Sequence, residues 1–534
     1  MKNVKILDCT LRDGGRIIDC AFPDEHIAGI SRNLCDANID IVELGFLRGN
    51  KEYKANSTFF TELDQFKQFI PEKRKNTMYV AFSDYGKEYG MWDFSRIKPY
   101  DGTSIDGFRV GYRKQDLLAA LDTFKTVQDN GYKLFVQGVE SLNYSDLEML
   151  EAIEIINKIK PYSFGIVDTY GAMYKDDVLH LFNLLDKNLD EDIAIDFHSH
   201  NNMQLSFSFA QEVVEASRGV RPVIIDATLE GLGKGTGNLN TELLVDYLNR
   251  KKHYNYDADI IFDTIDEYIQ WIKKDHTWAY QTPYFMAGIY SSHANNIIYL
   301  QNKHRMGTKD IKNILSRIEP GLRKRYDYDN IERIYMEYSG TQVDDKATLN
   351  TISEKLENTP LLVLVPGSSV TSCADTIDAY AKTAGGNVLS INYVDSRSNL
   401  VFFGNQRKYD RFRKECGDRT VIISSNIKGC EEDWVINYNN LICQGLRYFD
   451  NSTIMLLNLL LRIGKQDFSI AGLDGFDLDK ENYYSKAYNL SRYDDDYAQI
   501  NSDMAAFLKG FAKRLNNAQS VKFLTPGRFS EIFK

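Results

Sequence analysis

Positive charge is in short supply in this sequence. Its 534 residues carry 64 lysines and arginines against 75 aspartates and glutamates, which gives a formal net charge of −11. This balance excludes a nucleic-acid partner, because no surplus of cations is present to neutralise phosphates along a strand. A small anionic substrate remains compatible with it, since a local group of cations can oppose the charge of the whole chain.

Long apolar runs and paired cysteines are also missing. No run reaches the roughly 18 apolar residues that span a membrane, and the N-terminus enters a strand without the features of a signal peptide. The seven cysteines are scattered and form no CxxC pair, which indicates reduced thiols. We therefore expect a cytoplasmic protein without a membrane span. A homo-oligomer remains open.

What the sequence does contain is an alternation of short apolar runs and helical stretches over residues 1–250. Eight β/α units in this length predict a (β/α)8 TIM barrel, and a doubly wound sheet is the alternative. The predicted strands are 4–9, 40–44, 77–82, 106–110, 133–137, 163–167, 193–197 and 223–226. Each is expected to lead into a helix, for example 24–37, 114–128, 145–158 and 204–216.

The second half of the chain divides into two further regions. Residues 251–358 show helical periodicity without clear strands, which predicts a helical extension that packs on the barrel. Residues 359–534 predict an α/β domain with strands at the LLVLV run and at 387–393, 399–403, 420–424 and 468–471. Helices are expected over 370–383 and 453–462.

Ionisable residues follow the barrel strands, where a TIM barrel carries its active site. Arg12 and Asp13 follow the first strand, and the seventh ends in DFHSHNN. Glu43, Arg109 and Asp168 lie at the ends of the second, fourth and sixth strands. Residues two apart on a strand share a face, so His198 and His200 point at one spot. Two imidazoles with a carboxylate suit Mn²⁺, Zn²⁺, Co²⁺ or Fe²⁺. The alternative is a pair of strand-end histidines bonded to loops.

Two more features near this rim have competing interpretations. The glycines of GLGKGTGN, residues 231–238, allow the backbone to approach a phosphate or carboxylate closely. Asn238, at the end of this segment, is predicted either to bind a metal through its amide oxygen or to cap the next helix. Arg12 is predicted either to bind an enolate oxygen or to form a structural ion pair.

Three separated motifs resemble those of the metal-dependent TIM-barrel lyases and synthases, which include HMG-CoA lyase, isopropylmalate synthase and 4-hydroxy-2-oxovalerate aldolase. They are TLRDG, HxHN and GxGxGxGN, and VDTYG at 167–171 is also similar to that family. The resemblance implies that Asp13, His198 and His200 bind the metal, with Asn238 as a further ligand. It implies that Arg12 stabilises the enolate.

The segment TPYFMAGIYSSHANN, residues 282–296, resembles the region after the barrel in the 4-hydroxy-2-oxoacid aldolases. The resemblance implies retro-aldol cleavage of a 2-oxo acid, with release of an aldehyde and a pyruvate-type enolate. The implied ion is Mn²⁺, with Mg²⁺, Co²⁺ and Zn²⁺ as alternatives. DCTLRDGG is also similar to aldolase-like proteins of bacterial surface-polysaccharide synthesis.

One position departs from the family. The aldolases carry a histidine, their general base, a few residues after the DG motif, whereas this chain has Arg16 there. A guanidinium stays protonated and is a poor base. The replacements we consider are Tyr170, His293, Tyr290 or a metal-bound water.

The C-terminal region resembles the Rossmann-like domain of bacterial sialyltransferase-like proteins, through LVLVPGSSV and FSIAGLDGF. The resemblance implies that Gly367, Ser368 and Ser369 bind the phosphate of a nucleotide or nucleotide-sugar. Asn405 and Arg407 are further candidate contacts. Asp474 is predicted either to contact a ribose or to cap a turn. A structural or assembly domain is the alternative, since no histidine follows His304.

These observations favour a divalent-metal-dependent aldolase that acts on a 2-oxo acid and an aldehyde. The rival enzyme is a Claisen-type synthase that uses an acyl-CoA. A third hypothesis is an inactive barrel that serves as a scaffold or sensor.

Overall fold

The computed structural model describes residues 3–70, 76–304, 306–325, 327–340, 342–384, 386–477, 482–483 and 496–533. The chain forms two compact units. The first comprises Met1–Gln301 with Met306–Tyr326, and the second comprises Asn302–Arg305 with Asp327–Lys534. The helical region at 251–358 is therefore divided between the two units.

The first unit is a TIM barrel. Eight parallel strands form a ring, which closes because β1 pairs with both β2 and β9. The two-residue strand β3 adds to β2 outside the ring. The predicted barrel is confirmed. Its strands are β1 Val4–Asp8, β2 Ile41–Leu47, β3 Phe59–Phe60, β4 Met78–Asp84, β5 Gly107–Tyr112, β6 Lys133–Gly138, β7 Ser163–Asp168, β8 Ala194–Ser199 and β9 Val223–Ala227.

Helices surround the barrel and continue past it. The helices predicted at four links are present, with ends shifted by a few residues. The helices of this unit are α1 Asp24–Asp36, α2 Leu117–Asp129, α3 Asp146–Ile159, α4 Lys175–Asn188, α5 Ser206–Ala216, α6 Thr241–Lys252, α7 Ala258–Tyr268, α8 Thr282–Ile289, α9 Ala294–His304, α10 Thr308–Leu315 and α11 Pro320–Arg323. By the division above, the last three residues of α9 count with the second unit.

The expectation of a helix after every strand is wrong at two links. The described residues after β2 and after β4 contain only short 3-10 segments, among them Leu63–Phe69 and Phe94–Arg96. The first of these is held by the buried rings of Phe60 and Phe66, whose centres lie 4.1 Å apart. Aromatic anchoring here replaces the long amphipathic face that a helix would need.

The interior of the barrel has an apolar lower layer and a polar upper layer. An apolar plug, defined by Leu7, Cys9, Ile41, Val80, Phe135, Ala194 and Ile224, forms its own buried cluster. Residues two apart on a strand point the same way. Ile41 is therefore followed inside by Glu43, and Ile224 by Asp226, both buried. The floor of the candidate site rests on this plug.

The second unit contains a parallel sheet of seven strands in the order β14-β13-β12-β11-β10-β15-β16. The predicted strands are present. Two strands of three residues, β14 and β16, are too short to give a period-two pattern. The strands are β10 Leu361–Leu364, β11 Asn387–Ile391, β12 Leu400–Phe403, β13 Thr420–Ser424, β14 Trp434–Ile436, β15 Phe468–Ala471 and β16 Val521–Phe523.

The helices of the second unit include both predicted ones. The prediction for 370–383 corresponds to two consecutive helices, α14 and α15, and that for 453–462 to α17. They are α12 Tyr328–Ser339, α13 Lys346–Leu356, α14 Ser369–Ser372, α15 Ala374–Ala384, α16 Gln406–Phe412, α17 Ser452–Arg462 and α18 Tyr497–Ala512. Among the described helices, none combines the length and apolar character needed to cross a membrane. All seven cysteines are free thiols.

The strand order reverses between β10 and β15, which makes this the switch point of the sheet. Gly472 lies there with a φ of +80°, and a Cβ on it would come within 1.9 Å of the carbonyl oxygen of Val365. The neighbouring chains can approach this closely only because Gly472 has no side chain.

We expect Gly472→Ala to lower the thermal stability of the intact chain more than Gly464→Ala does. Both glycines have positive φ, but a Cβ on Gly464 meets nothing within 4 Å. Gly464→Ala is the control, and it should lower the free energy of unfolding by about 1–2 kcal/mol because its backbone is left-handed. Gly472→Ala should lower the free energy of unfolding by at least about 2 kcal/mol more, because its Cβ clashes with the carbonyl oxygen of Val365. Equal melting temperatures for the two variants would contradict the close approach.

Candidate functional site

Three predicted ligands converge at the top of the barrel. Asp13 lies in the turn after β1, His198 lies in β8 and His200 follows that strand. Asp13 Oδ2 is 4.0 Å from His198 Nε2 and 3.9 Å from His200 Nδ1. The candidate ligand atoms all lie within 4.8 Å of one another. This spacing fits a single ion between them.

Asn238, the predicted fourth ligand, lies beside Asp13. Its Nδ2 donates to Asp13 Oδ2 at 3.1 Å, while its buried Oδ1 has no hydrogen-bond partner among the described residues. The cap position of α6 is Asn240, so Asn238 is not the cap. A Cβ on Gly233 would lie 2.6 Å from Asn238 Nδ2, which explains why this loop carries glycine. An orphaned amide oxygen, a carboxylate and two imidazoles fit a divalent cation.

The protonation states of the trio also suit a metal. Burial lowers the pKa of both His198 and His200 to about 4, so both rings are neutral. Burial alone would raise the pKa of Asp13, but the charges of Arg12 and Arg16, among others, hold it well below its usual range. Metal ligands must be deprotonated in this way.

Beneath the trio lies a charged network, defined as Arg12, Asp13, Glu43, Arg109, Asp196 and Asp226. Arg12 contacts Asp13 and Glu43, each at 2.6 Å. Arg109 contacts Glu43 at 3.2 Å, Asp226 at 2.6 Å and Asp196 at 3.3 Å. All six residues are at most 5% exposed. Two guanidinium groups face four carboxylates, so the network has an excess of negative charge that a divalent cation reduces.

The network also orients His198, a predicted ligand. His198 Nδ1 lies 2.9 Å from Asp226 Oδ2, which leaves Nε2 facing Asp13. A carboxylate behind a histidine in this way fixes the tautomer of a metal-binding imidazole. Burial and the neighbouring Asp226 raise the pKa of Asp196 to about 7.

Sequence reasoning missed part of this network. It placed Glu43 and Arg109 among the polar strand ends of the rim, whereas the structure buries them inside the barrel. It did not single out Asp196 and Asp226. The usable signal was a carboxylate two residues after an apolar interior residue, as in Ala194 and Asp196.

A cavity of about 850 Å³ opens above the trio. Arg12, His198 and His200 lie in its wall, together with Tyr170 and His293. Asp168, at the end of β7, is instead used by its own turn, where it accepts the backbone N–H of Ala172 at 2.8 Å. The cavity therefore brings the ligand trio and two of the predicted catalytic residues to one space.

Residues 113–270 match the HMGL-like family model. We refer to these residues as the HMGL-like region, and they contain His198, His200 and Asn238. The chain is 25% identical to the 4-hydroxy-2-oxovalerate aldolase of Carboxydothermus hydrogenoformans over 339 residues, which is 60% of this chain and 93% of that protein. It is 24% identical to the 2-isopropylmalate synthase of Saccharolobus solfataricus over 263 residues, 48% of this chain and 65% of that protein.

The HMG-CoA lyase of Brucella melitensis is a similar solved structure. It has 16% sequence identity to this chain and a TM-score of 0.41, with 52% of this chain and 100% of that chain covered. The relatives are thus lyases and a synthase of low identity.

Tyr170, in the HMGL-like region, is held by a hydrogen bond to Glu140. Its hydroxyl donates to Glu140 Oε1 at 2.7 Å. Burial and the charge of Glu140 raise the pKa of Tyr170 well above its usual value, so the phenol keeps its proton at neutral pH. Glu140 has a φ of +61°, in the left-handed region. Such a backbone is uncommon for a side-chain-bearing residue and is often found at functional sites.

His293 lines the cavity as a neutral imidazole. Burial lowers its pKa to about 4, and the charges of Lys234 and Arg16 act in the same direction. Its Nδ1 accepts the backbone N–H of Asn295 at 3.1 Å, so the neutral ring carries its proton on Nε2. Of the other candidates, Tyr290 lies beside the guanidinium of Arg323 and is not among the described residues that line the cavity.

Arg16 stands where the resembling aldolases have a histidine. Its Nε lies 3.2 Å from Asp13 Oδ1, and its guanidinium lies 5.0 Å from the centre of the Phe46 ring. The side chain is 45% exposed. Arg16 therefore places a positive charge beside Asp13 and offers no proton acceptor there.

The second unit has its own cavity of about 270 Å³ at the switch point, lined by Gly367, Asn405, Arg407 and Asp474 among others. The backbone N–H of Ser369 donates to Asp474 at 2.8 Å, and the hydroxyls of Ser368 and Ser369 donate to the same carboxylate. The side chain of Asn405 caps α16 by accepting from the N–H of Lys408. Nucleotide binding stays a prediction here, and a phosphate would have to displace Asp474.

We expect Arg109→Met to destabilise the protein by about 3–5 kcal/mol, because it leaves buried carboxylates without their cation. The free energy of unfolding in urea measures this. Arg250→Met is the matched control. Arg250 is exposed and pairs with Asp246 one turn away, so its loss should cost less than about 1 kcal/mol. The network would carry no structural role if both variants unfolded at the same urea concentration.

Proposed function

We propose that the barrel is a divalent-metal-dependent carbon–carbon lyase of the aldolase type, acting on a 2-oxo acid through a pyruvate-type enolate. The observation that carries this proposal is the convergence of Asp13, His198 and His200 in one cavity with Arg12. Metal ligands and a fixed guanidinium at one place are what enolate formation from a 2-oxo acid requires.

The ion would be held by Asp13, His198, His200 and Asn238, with Mn²⁺ as the expected ion and Mg²⁺, Co²⁺ or Zn²⁺ as alternatives. When bound, it supplies Lewis-acid polarisation of the 2-oxo group. Arg12 uses Nε and Nη1 for Glu43 and Asp13. No described residue accepts from its Nη2, and this group is the donor for the enolate oxygen.

Tyr170 and Glu140 handle the hydroxyl proton. In the cleavage direction, the C4 hydroxyl of a 4-hydroxy-2-oxo acid loses its proton as the C3–C4 bond breaks. The electron pair of that bond enters the enolate, and the aldehyde leaves. Tyr170 takes the proton while passing its own to Glu140, which is 2.7 Å away. Water then protonates the enolate carbon to give pyruvate, and Glu140 returns its proton to the hydroxide that remains.

The comparisons support a lyase and leave a second candidate. The 4-hydroxy-2-oxovalerate aldolase relative fits cleavage next to a 2-oxo acid. The 2-isopropylmalate synthase relative keeps an acyl-CoA synthase as the alternative. Thiol release from acetyl-CoA in the presence of a 2-oxo acid would identify the synthase. A role in surface-polysaccharide synthesis stays a prediction from the resemblance.

We expect the protein to exchange the methyl protons of pyruvate with D2O in the presence of Mn²⁺, because enolate formation makes these protons labile. Proton NMR measures the exchange without knowledge of the aldehyde. His200→Ala should lower the exchange rate at least 100-fold and remove stoichiometric Mn²⁺ from the purified protein.

The control for this variant is His180→Ala, since His180 is exposed and contacts Asp146 on the barrel surface. It should bind Mn²⁺ and exchange protons like the parent protein. Equal exchange by the metal-loaded and metal-stripped parent would overturn the proposed mechanism. A protein that binds no ion and exchanges no protons would favour the scaffold hypothesis.

We expect Glu140→Gln to lower the kcat for cleavage of 4-hydroxy-2-oxovalerate by about 10²–10⁴-fold, the usual contribution of a general base. Tyr170→Phe should have a similar effect, because both residues serve one proton transfer. Glu88 also lines the cavity, and Glu88→Gln is the matched control. A kcat within fivefold of the parent for Glu140→Gln would exclude this proton route.

A further inference from the structure

We propose that the aldehyde substrate of this site carries a phosphate group at the end remote from its carbonyl. This inference rests on the proposed function and names the class of its second substrate. The group that would bind the phosphate, called here the phosphate cluster, is Arg113, Lys324 and Arg325. All three line the same cavity as the metal-ligand trio.

The cavity has the opposite charge to the chain. The protein has a formal net charge of −11, yet nine arginines and lysines line the cavity against four aspartates and glutamates. The nine are Arg12, Arg16, Arg48, Arg109, Arg113, Lys114, Lys234, Lys324 and Arg325, and the four are Asp13, Asp84, Glu88 and Glu140. A cleft lined by one sign of charge concentrates ligands of the other sign.

Several of these cations already have carboxylate partners. Arg12 and Arg109 belong to the charged network. Arg48 contacts Asp84 at 2.9 Å. Lys114 contacts Glu148 at 2.7 Å. The ion pairs neutralise these side chains, so the surplus positive charge lies elsewhere in the cavity.

The side chain of Arg113 is held in place, but one of its N–H groups lacks a hydrogen-bond acceptor among the described residues. Its guanidinium lies 3.2 Å from the centre of the Tyr89 ring, which fixes its plane. Its closest carboxylate, Asp84, is 3.8 Å away and already binds Arg48. Arg113 Nη1 is buried and has no hydrogen-bond partner among the described residues. A buried donor without an acceptor is costly, and a ligand oxygen would remove that cost.

Lys324 and Arg325 add positive charge to the cavity that Arg113 also lines. Lys324 Nζ is 3.9 Å from Glu140. Arg325 is exposed and makes no ion pair within the described part of the chain. The hydroxyl of Tyr170 lies 3.4 Å from the carbonyl oxygen of Lys324. Lys324 therefore lies next to the Tyr170–Glu140 pair, where the proton of the aldehyde-derived hydroxyl leaves, and the charges of Arg113 and Arg325 also act on Tyr170.

The volume of the cavity agrees with a larger second substrate. About 850 Å³ is in the upper part of the range for pockets that enclose drug-sized ligands. A three-carbon acid and a two-carbon aldehyde would leave most of this space as water. A phosphorylated sugar-type aldehyde would reach from the metal-ligand trio to the phosphate cluster.

Phosphate fits the cluster better than a carboxylate does. A phosphate monoester carries close to two negative charges and three acceptor oxygens at neutral pH. The cluster offers two planar guanidinium groups, which bind phosphate with paired hydrogen bonds, and one ammonium group. A single carboxylate would leave part of this charge without a counterion.

The first experiment measures binding without turnover. Glycerol 3-phosphate and glycerol are titrated into the intact, Mn²⁺-loaded protein by calorimetry. We expect glycerol 3-phosphate to bind and glycerol to show no heat. Arg113→Met and Arg325→Met should each raise the Kd at least tenfold, whereas the exposed control Arg250→Met should leave it unchanged. Arg325 is exposed, so its variant is informative even if Arg113→Met folds poorly. Absent binding, or an unchanged Kd in Arg325→Met, would overturn the proposal.

The second experiment measures the condensation of pyruvate with an aldehyde. We expect kcat/KM for glyceraldehyde 3-phosphate to exceed that for glyceraldehyde at least 100-fold, with this ratio reduced at least tenfold in Arg325→Met. Equal values for the two aldehydes, or a preference for the carboxylated succinic semialdehyde, would overturn the phosphate assignment while pyruvate exchange still supported the lyase. Without pyruvate exchange the lyase itself fails, and the glycerol 3-phosphate titration still decides whether the cluster binds phosphate.

Discussion

Two buried guanidinium groups determine the geometry at the top of the barrel. Arg12 joins the turn after β1 to Glu43 in β2. Arg109, in β5, reaches Glu43, Asp196 in β8 and Asp226 in β9. Five of the eight strands, or the turns after them, are thereby tied together under one cavity. Asp13 and His198 take their positions from this network, so the donor set is arranged before any ligand arrives.

The fold could be predicted from the sequence where the signal is local. Apolar runs predicted the strands, and the spacing of His198 and His200 predicted that their side chains converge. The 3-10 links after β2 and β4 depend on aromatic packing, and the division of the helical region between two units depends on tertiary contacts. Tyr170 pairs with Glu140, and Lys324 lies close to both. These contacts join residues that are far apart in sequence. No periodicity reports such contacts.

The second unit uses close backbone contact for a different purpose. Gly472 brings its own carbonyl oxygen to the N–H of Gly367, 3.1 Å away, at the switch point of the sheet. Asp474 then receives the donors of the Gly–Ser loop. The carboxylate of Asp474 accepts hydrogen bonds here as a bound anion does at this position in other α/β sheets. In the barrel, by contrast, the donors at the top face an open cavity.

The apolar plug at the base of the barrel has a kinetic consequence. Water and solutes cannot pass beneath the charged network, because buried side chains close that end. Within the described part of the chain, the opening toward Asp13 is the mouth of the cavity above it. A large molecule seated between the mouth and the trio blocks the way out for a smaller one beneath. For the proposed lyase this fixes an order: the small acid enters before the aldehyde in condensation and leaves after it in cleavage.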